Sequence, residues 1–284
     1  MSPDHLSALD AIAMVLGGSQ SPSAAAAVVT KAYASYVEQP LKNSGSSKLG
    51  PFWGMLCDAV REFGSAHSRL LDLLHEISTH DTNGSLAKDS FGAIYWQDLP
   101  GFPYALCDDA IRSSLLHRIP ASANDNISDY FHPYDYSPGE LDEFLAQTPH
   151  LLNGTRFAAT LFEQGFHVPA LNLHTQADYF LEDGIESSHN DNHFVKAQEW
   201  KVLVPVSATW VVIAGKTIYR MCLDGQDVRP NSRIERVWDK PRWELWKEQL
   251  WVFSNRNDFN EECRRYATQA LARMVEVENE SQTQ

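Results

Sequence analysis

The sequence predicts an all-α protein. Apolar residues recur with a period of 3.6 in one segment after another. The chain lacks two convincing alternating segments that could pair as strands. Prolines and Ser/Gly-rich stretches fall between the periodic segments. With 284 residues, 43% of them apolar and 11% aromatic, a real core can be buried. A single helical domain over residues 1–284, of roughly nine to ten helices, is expected.

The elements follow in order. Ser21–Pro22 opens an alanine-rich helix, with Pro in the first turn, and Gln39–Pro40 stops it near Glu38. A flexible loop lies near 40–50. From Phe52 the residues Met55, Leu56, Ala59, Val60, Phe63, Leu70, Leu74 and Ile77 keep the helical period, so one long helix is expected there. Thr79 to Asp89 is a polar loop turning at Asn83–Gly84. Phe91 to Tyr104 is aromatic and broken by Leu99–Pro100–Gly101 and Phe102–Pro103, which predicts the end of a short helix and a buried turn. A helix over about Tyr104–Arg118 follows. Residues 121–139 hold Pro133, Pro138, Tyr130, Phe131, Tyr134 and Tyr136. A plain linker would be polar, so this stretch reads as a lid loop.

Further helices are expected over Pro138–Gln147, Leu151–Gln164 and Pro169–Asp183. Val206, Trp210, Ile213, Ala214, Thr217 and Met221 form one helical stripe. Its β-branched residues would suit a strand, but no partner strand is available. Arg242–Phe253 and Asp258–Val275 are the last two helices, and at most a minor hairpin is allowed for.

The formal net charge of −14 disfavours nucleic acid, whose binding calls for a basic stripe. Four cysteines, Cys57, Cys107, Cys222 and Cys263, stand far apart without a CxxC, so free buried thiols are expected. The N-terminus has no basic region before its apolar stretch, so no signal peptide is read. The apolar run Val202–Ala214 is interrupted by Pro205 and Ser207, so no membrane span is read. A cytoplasmic protein is expected.

Familiar catalytic motifs fail on geometry. Ala214–Gly215–Lys216–Thr217 resembles the end of a phosphate loop, but Trp210 occupies the position of its first glycine. His75–Glu76 with His80 misses the zinc-protease spacing. The two imidazoles would sit about 140° apart around a helix, where about 40° is needed. Asp108–Asp109 and Asn257–Asp258 lack the further ligands of a magnesium-diphosphate site. His189–Asp191–His193 is the best metal candidate, and could converge only on an extended segment. No metal or organic cofactor is expected.

His174, Asp178 and Glu182 form a ridge at i, i+4 and i+8 on one helix. Leu173, Ala177 and Phe180 lie on the adjoining apolar face. A His–Asp pair beside apolar surface suits acid–base work, and it equally suits a hydrogen-bonded ridge at the edge of a core. Arg156, which begins the preceding helix, could supply a counter-charge and act as an anion or carbonyl partner in catalysis beside His174 and Asp178. Trp96, Tyr134, Trp210, Tyr219 and Trp246 are expected to wall a pocket for an apolar small molecule, or to fill the core.

Several segments carry a resemblance. They are Ser21–Pro22–Ser23–Ala24–Ala25, Trp96–Gln97–Asp98–Leu99–Pro100, Arg156–Phe157–Ala158–Ala159–Thr160–Leu161, Phe180–Leu181–Glu182, Val206 to Gly215, and Arg242–Trp243–Glu244–Leu245–Trp246–Lys247. In this order they resemble a fungal family catalogued as domain of unknown function 3632. Thr160 stands where that family usually has Arg, and Val206–Ser207 replaces an Ala pair. The resemblance implies an all-helical intracellular fungal protein, often encoded near specialised-metabolite genes. It implies no catalytic residues.

The functional expectation is a cofactor-independent cyclase or isomerase acting on a hydrophobic intermediate, such as a Diels–Alder-type pericyclase. Such an enzyme folds its substrate into a reactive shape and stabilises developing charge with one or two donors. The alternative is a non-catalytic helical module that binds a small molecule or another protein.

Overall fold

A computed structural model describes residues 3–38, 46–80, 87–89, 92–94, 96–99, 101–111, 145–166, 171–186, 200–228 and 236–283. The expected lid loop over 121–139 and the metal candidate His189–Asp191–His193 lie outside them, as does most of the loop near 40–50. Among the described residues the protein is all-α, with two small antiparallel strand pairs. Its internal contacts group the chain into two compact units. One comprises Met1–Ser113 with His167–Leu171, and the other Ser114–Phe166 with Asn172–Gln284.

The first unit opens with α1 (Pro3–Leu16), which the sequence reading passed over. Its signal was present: Ala8, Ala11, Ile12 and Val15 are buried at helical spacing. Helix α2 (Pro22–Glu38) begins as expected, with the Ser21 hydroxyl accepting from the Ala24 amide at 3.3 Å. The predicted long helix from Phe52 to Ile77 is instead two helices, α3 (Ser46–Glu62) and α4 (His67–Ser78), separated by a 3₁₀ turn over Gly64–Ala66. The apolar period survives the break because Phe63 and Leu70 are two helical turns apart in sequence. Phe63 is nevertheless 52% exposed. Gly64 and Ser65 are poor helix formers, and the chain bends there. The Arg69 guanidinium of α4 donates to the Leu16 carbonyl at 2.6 Å, satisfying the C-terminus of α1.

Strands β1 (Ala87–Asp89) and β2 (Gly92–Ile94) pair antiparallel where polar loop and helix end were expected. A 3₁₀ turn over Trp96–Asp98 and the short α5 (Phe102–Ala105) follow, and α5 runs into a π-helix over Leu106–Ile111. The core of this unit includes the rings of Tyr33, Phe52, Trp53 and Phe102, each in contact with the next.

The second unit is built around α8 (Trp200–Asp224), against which α6 (Thr148–Glu163), α7 (Leu173–Leu181), α9 (Lys240–Asn255) and α10 (Glu261–Gln282) all pack. Helix, not strand, wins for Val202–Ile213 because neighbours surround it and its branched side chains are buried on most sides. By length and composition α8 could cross a membrane, but two thirds of its apolar window is buried inside the unit, as in a core helix. Ala214 interrupts its helical dihedrals (φ −103°, ψ 16°). Asp239 and Asn260 cap α9 and α10, accepting from the amides of Arg242 and Cys263. Strands β3 (Gln226–Asp227) and β4 (Val237–Trp238) form a hairpin pair between α8 and α9.

Candidate functional site

Helix α7 does not end in a cap. It widens into a π-helical turn over Glu182–Glu186. Gly184 permits this, because a Cβ there would lie 2.5 Å from the Leu203 carbonyl oxygen of α8. The Ser207 hydroxyl of α8 lies within hydrogen-bond reach of the Phe180 carbonyl at 2.5 Å and of the Leu203 carbonyl, one turn back on its own helix, at 2.8 Å. Ser207 thus ties the end of α7 to α8.

The ridge begun by His174 and Asp178 continues through this turn to Glu182 and Glu186. Asp178 has no exposed surface. Its Oδ1 accepts from the Trp238 indole N–H at 2.8 Å and pairs with the Arg242 guanidinium at 2.7 Å. Glu186 accepts from Arg242 Nε at 2.5 Å and from the Trp246 indole at 2.6 Å. Arg236 pairs with Glu182, and lies 3.6 Å from Glu186 and 3.9 Å from Asp178. Burial works against the Arg242 charge, but the Glu186 hydrogen bond and the nearby Asp178 hold its pKa above the ordinary value. Three carboxylates and two guanidiniums therefore form one network at the edge of the core.

His174 stands one helical turn from Asp178 and is half-buried. Desolvation lowers its pKa, opposed by Asp178 and by Asp227 of β3. Among the described residues its ring makes no hydrogen bond. Behind it, the Thr175 hydroxyl donates to the Val228 carbonyl at 2.8 Å and ties α7 to the β3–β4 hairpin.

Arg156 does not provide the expected counter-charge. Its guanidinium donates to Asn153 at 3.0 Å and to the Tyr266 hydroxyl at 2.9 Å, and Arg242 and Arg236 take the place beside Asp178. Thr160 bonds back to the Arg156 carbonyl at 2.7 Å, so its role is local. Of the expected pocket walls, Trp210, Tyr219 and Trp246 belong to one aromatic layer. It runs from Trp210 through Phe162, Trp238, Trp246 and Trp243 to Tyr219, with centroid separations of 4.9 to 6.4 Å. Trp96 is buried in the other unit, and Tyr134 lies outside the described residues. The Ala214–Thr217 segment sits within α8 at its break. There the Thr217 amide donates to the Glu163 carboxylate at 3.2 Å.

Sequence reasoning missed Arg236, Trp238, Glu186 and the role of Arg242. Only Arg242 carried a signal, four residues before Trp246 on one helical face; its guanidinium lies 5.3 Å from the Trp246 ring centroid.

The family described as "Protein of unknown function (DUF3632)" matches residues 53–250. The chain belongs to this family. The matched span contains α7, its π-turn, Arg236, Trp238, Arg242 and Trp246, while Ser21–Ala25 lies outside it. No curated protein and no solved structure matches the chain.

Proposed function

We propose that this protein is a cofactor-independent enzyme acting on a hydrophobic small molecule, a cyclase or isomerase of fungal specialised metabolism, with His174 as its acid–base group. One observation carries the reading. His174 is a half-buried imidazole whose pKa desolvation lowers, without a protein hydrogen bond among the described residues, one turn from a fixed buried carboxylate. A neutral imidazole can accept a proton from one substrate atom and return it to another, which leaves the substrate's composition unchanged. Asp178, held by Trp238 and Arg242, favours the imidazolium that forms in between. Asp178 itself serves as a fixed charge and not as a mobile base.

A second reading is a non-catalytic binding or interaction module in the cytoplasm. It is favoured by the full burial of Trp210, Trp238, Trp243 and Trp246 against one another, since rings that fill a core leave less surface for a ligand.

The test is a deletion strain complemented with wild type or with His174→Gln, the variant's fold being checked by circular dichroism. An isomerase or cyclase converts a precursor into a product of equal mass. The deletion should accumulate that precursor, and His174→Gln, with a rate lowered about 10²- to 10⁴-fold, should fail to restore the product. Full restoration by the variant would remove His174 from catalysis and favour the second reading.

A further inference from the structure

The candidate base and Asp178 lie on α7, but groups that hold them in place come from elsewhere. Two hydrogen bonds tie the β3–β4 hairpin to α7. Val228, directly after β3, accepts from the Thr175 hydroxyl at 2.8 Å. Trp238 of β4 donates to Asp178 at 2.8 Å. The register pairs Gln226 with Trp238 and Asp227 with Val237. The first contact joins Val228, the residue after Asp227, to Thr175, the residue after His174. The second fixes the orientation of the carboxylate one turn further along α7. Trp238 is fully buried, with its ring edge-on to Trp246 and Phe162, so its N–H has a single direction.

We propose that the hairpin is the positioning element of the His174 site, with Trp238 fixing the Asp178 carboxylate and Asp227 supplying the second negative charge that His174 senses. This rests on the reading of His174 as the acid–base group, and extends it from one helix to two residues more than fifty positions away in sequence. Among the described residues, the charges that act on the imidazole are Asp178 on its own helix and Asp227 on β3, with the network of Glu182, Glu186, Arg236 and Arg242 beyond Asp178. The indole N–H withdraws charge from the carboxylate oxygen that it meets. Without it, Asp178 presents more negative potential to His174 and the imidazolium is favoured. Without Asp227, the imidazolium loses a stabilising charge.

The experiment is an NMR titration of the His174 ring in the full-length protein. Asp227→Asn, at an exposed position, should lower the His174 midpoint. Trp238→Phe, which keeps an aromatic ring and removes the donor, should raise it. In an Asp178→Asn background the same Trp238→Phe change should move the midpoint no further. An unchanged midpoint in Asp227→Asn overturns the proposal, as does a Trp238→Phe shift that persists in the Asp178→Asn background. If Trp238→Phe does not fold, the Asp227→Asn arm decides alone. The titration needs no substrate. A hairpin that fails to set the His174 midpoint is therefore distinguishable from a His174 that sets its midpoint normally but does no chemistry.

Discussion

Gly184 and Ser207 meet where the π-turn after α7 crosses α8, so closely that no other side chain fits at 184. Gly184→Ala must push the turn away from the Leu203 carbonyl. Overpacking of this kind costs about 1–3 kcal/mol. Urea denaturation should show a loss in that range for Gly184→Ala. Ser207→Ala removes the hydroxyl shared between the Phe180 and Leu203 carbonyls and should cost about 0.5–1.5 kcal/mol. A Gly184→Ala protein with wild-type stability would mean the turn is not held against α8.

Arg242 holds Asp178 and Glu186 at once. Arg242→Met leaves the buried Asp178 and the partly buried Glu186 short of a cation and should destabilise by about 3–5 kcal/mol. Arg242→Lys should recover only part of this, because a single ammonium cannot span both acids as the guanidinium fork does. Thermal unfolding of the two variants side by side measures the difference.

The aromatic layer separates core from surface tryptophans. Trp210→Ala and Trp246→Ala should each cost about 3–5 kcal/mol. Trp251, on the same helix as Trp246 but 59% exposed, should change stability by no more than about 0.5 kcal/mol on going to Ala. Equal melting temperatures for Trp246→Ala and Trp251→Ala would contradict the helical phase of α9.

The His174 pKa lies below its ordinary value of 6.5 in the folded protein. Between the two pKa values the unfolded chain binds more protons, so the His174 contribution to stability falls as pH drops through that window. His174→Gln removes this term. Below pH 6.5 the variant should lose less stability than wild type, and above it the two should run parallel. Denaturation midpoints across this range give the comparison.

Burial pushes the Cys222 and Cys263 thiols up to about 12. At neutral pH both should resist alkylation by iodoacetamide in the native state and react on unfolding. Peptide mass spectrometry reads each site separately.

Much of the helical pattern is local and was legible in the residues. Ser21–Pro22 marks the start of α2, and the stripe from Val206 to Met221 marks α8, because caps, proline and the 3.6 period act within a few residues of themselves. The same logic misled at Phe63. A 3₁₀ turn kept the apolar spacing in phase while turning that side chain out to solvent. It also missed α1, whose buried Ala8, Ala11, Ile12 and Val15 carried the period.

The partner of Asp178 could not be read in this way. Arg156 was a reasonable cation by helix order, yet it bonds to Tyr266, and Arg242 reaches Asp178 across more than sixty residues. Nothing in the spacing of Asp178, Trp238 and Arg242 marks them as neighbours. Thus the sequence alone determined that the chain is helical, where most of its helices run, and that His174, Asp178 and Glu182 share a face. The tertiary structure decided which charges meet. A helix face is set by backbone geometry repeated every turn, whereas a buried ion pair is set by how α7, α9 and the hairpin pack around α8, and periodicity carries no record of that packing.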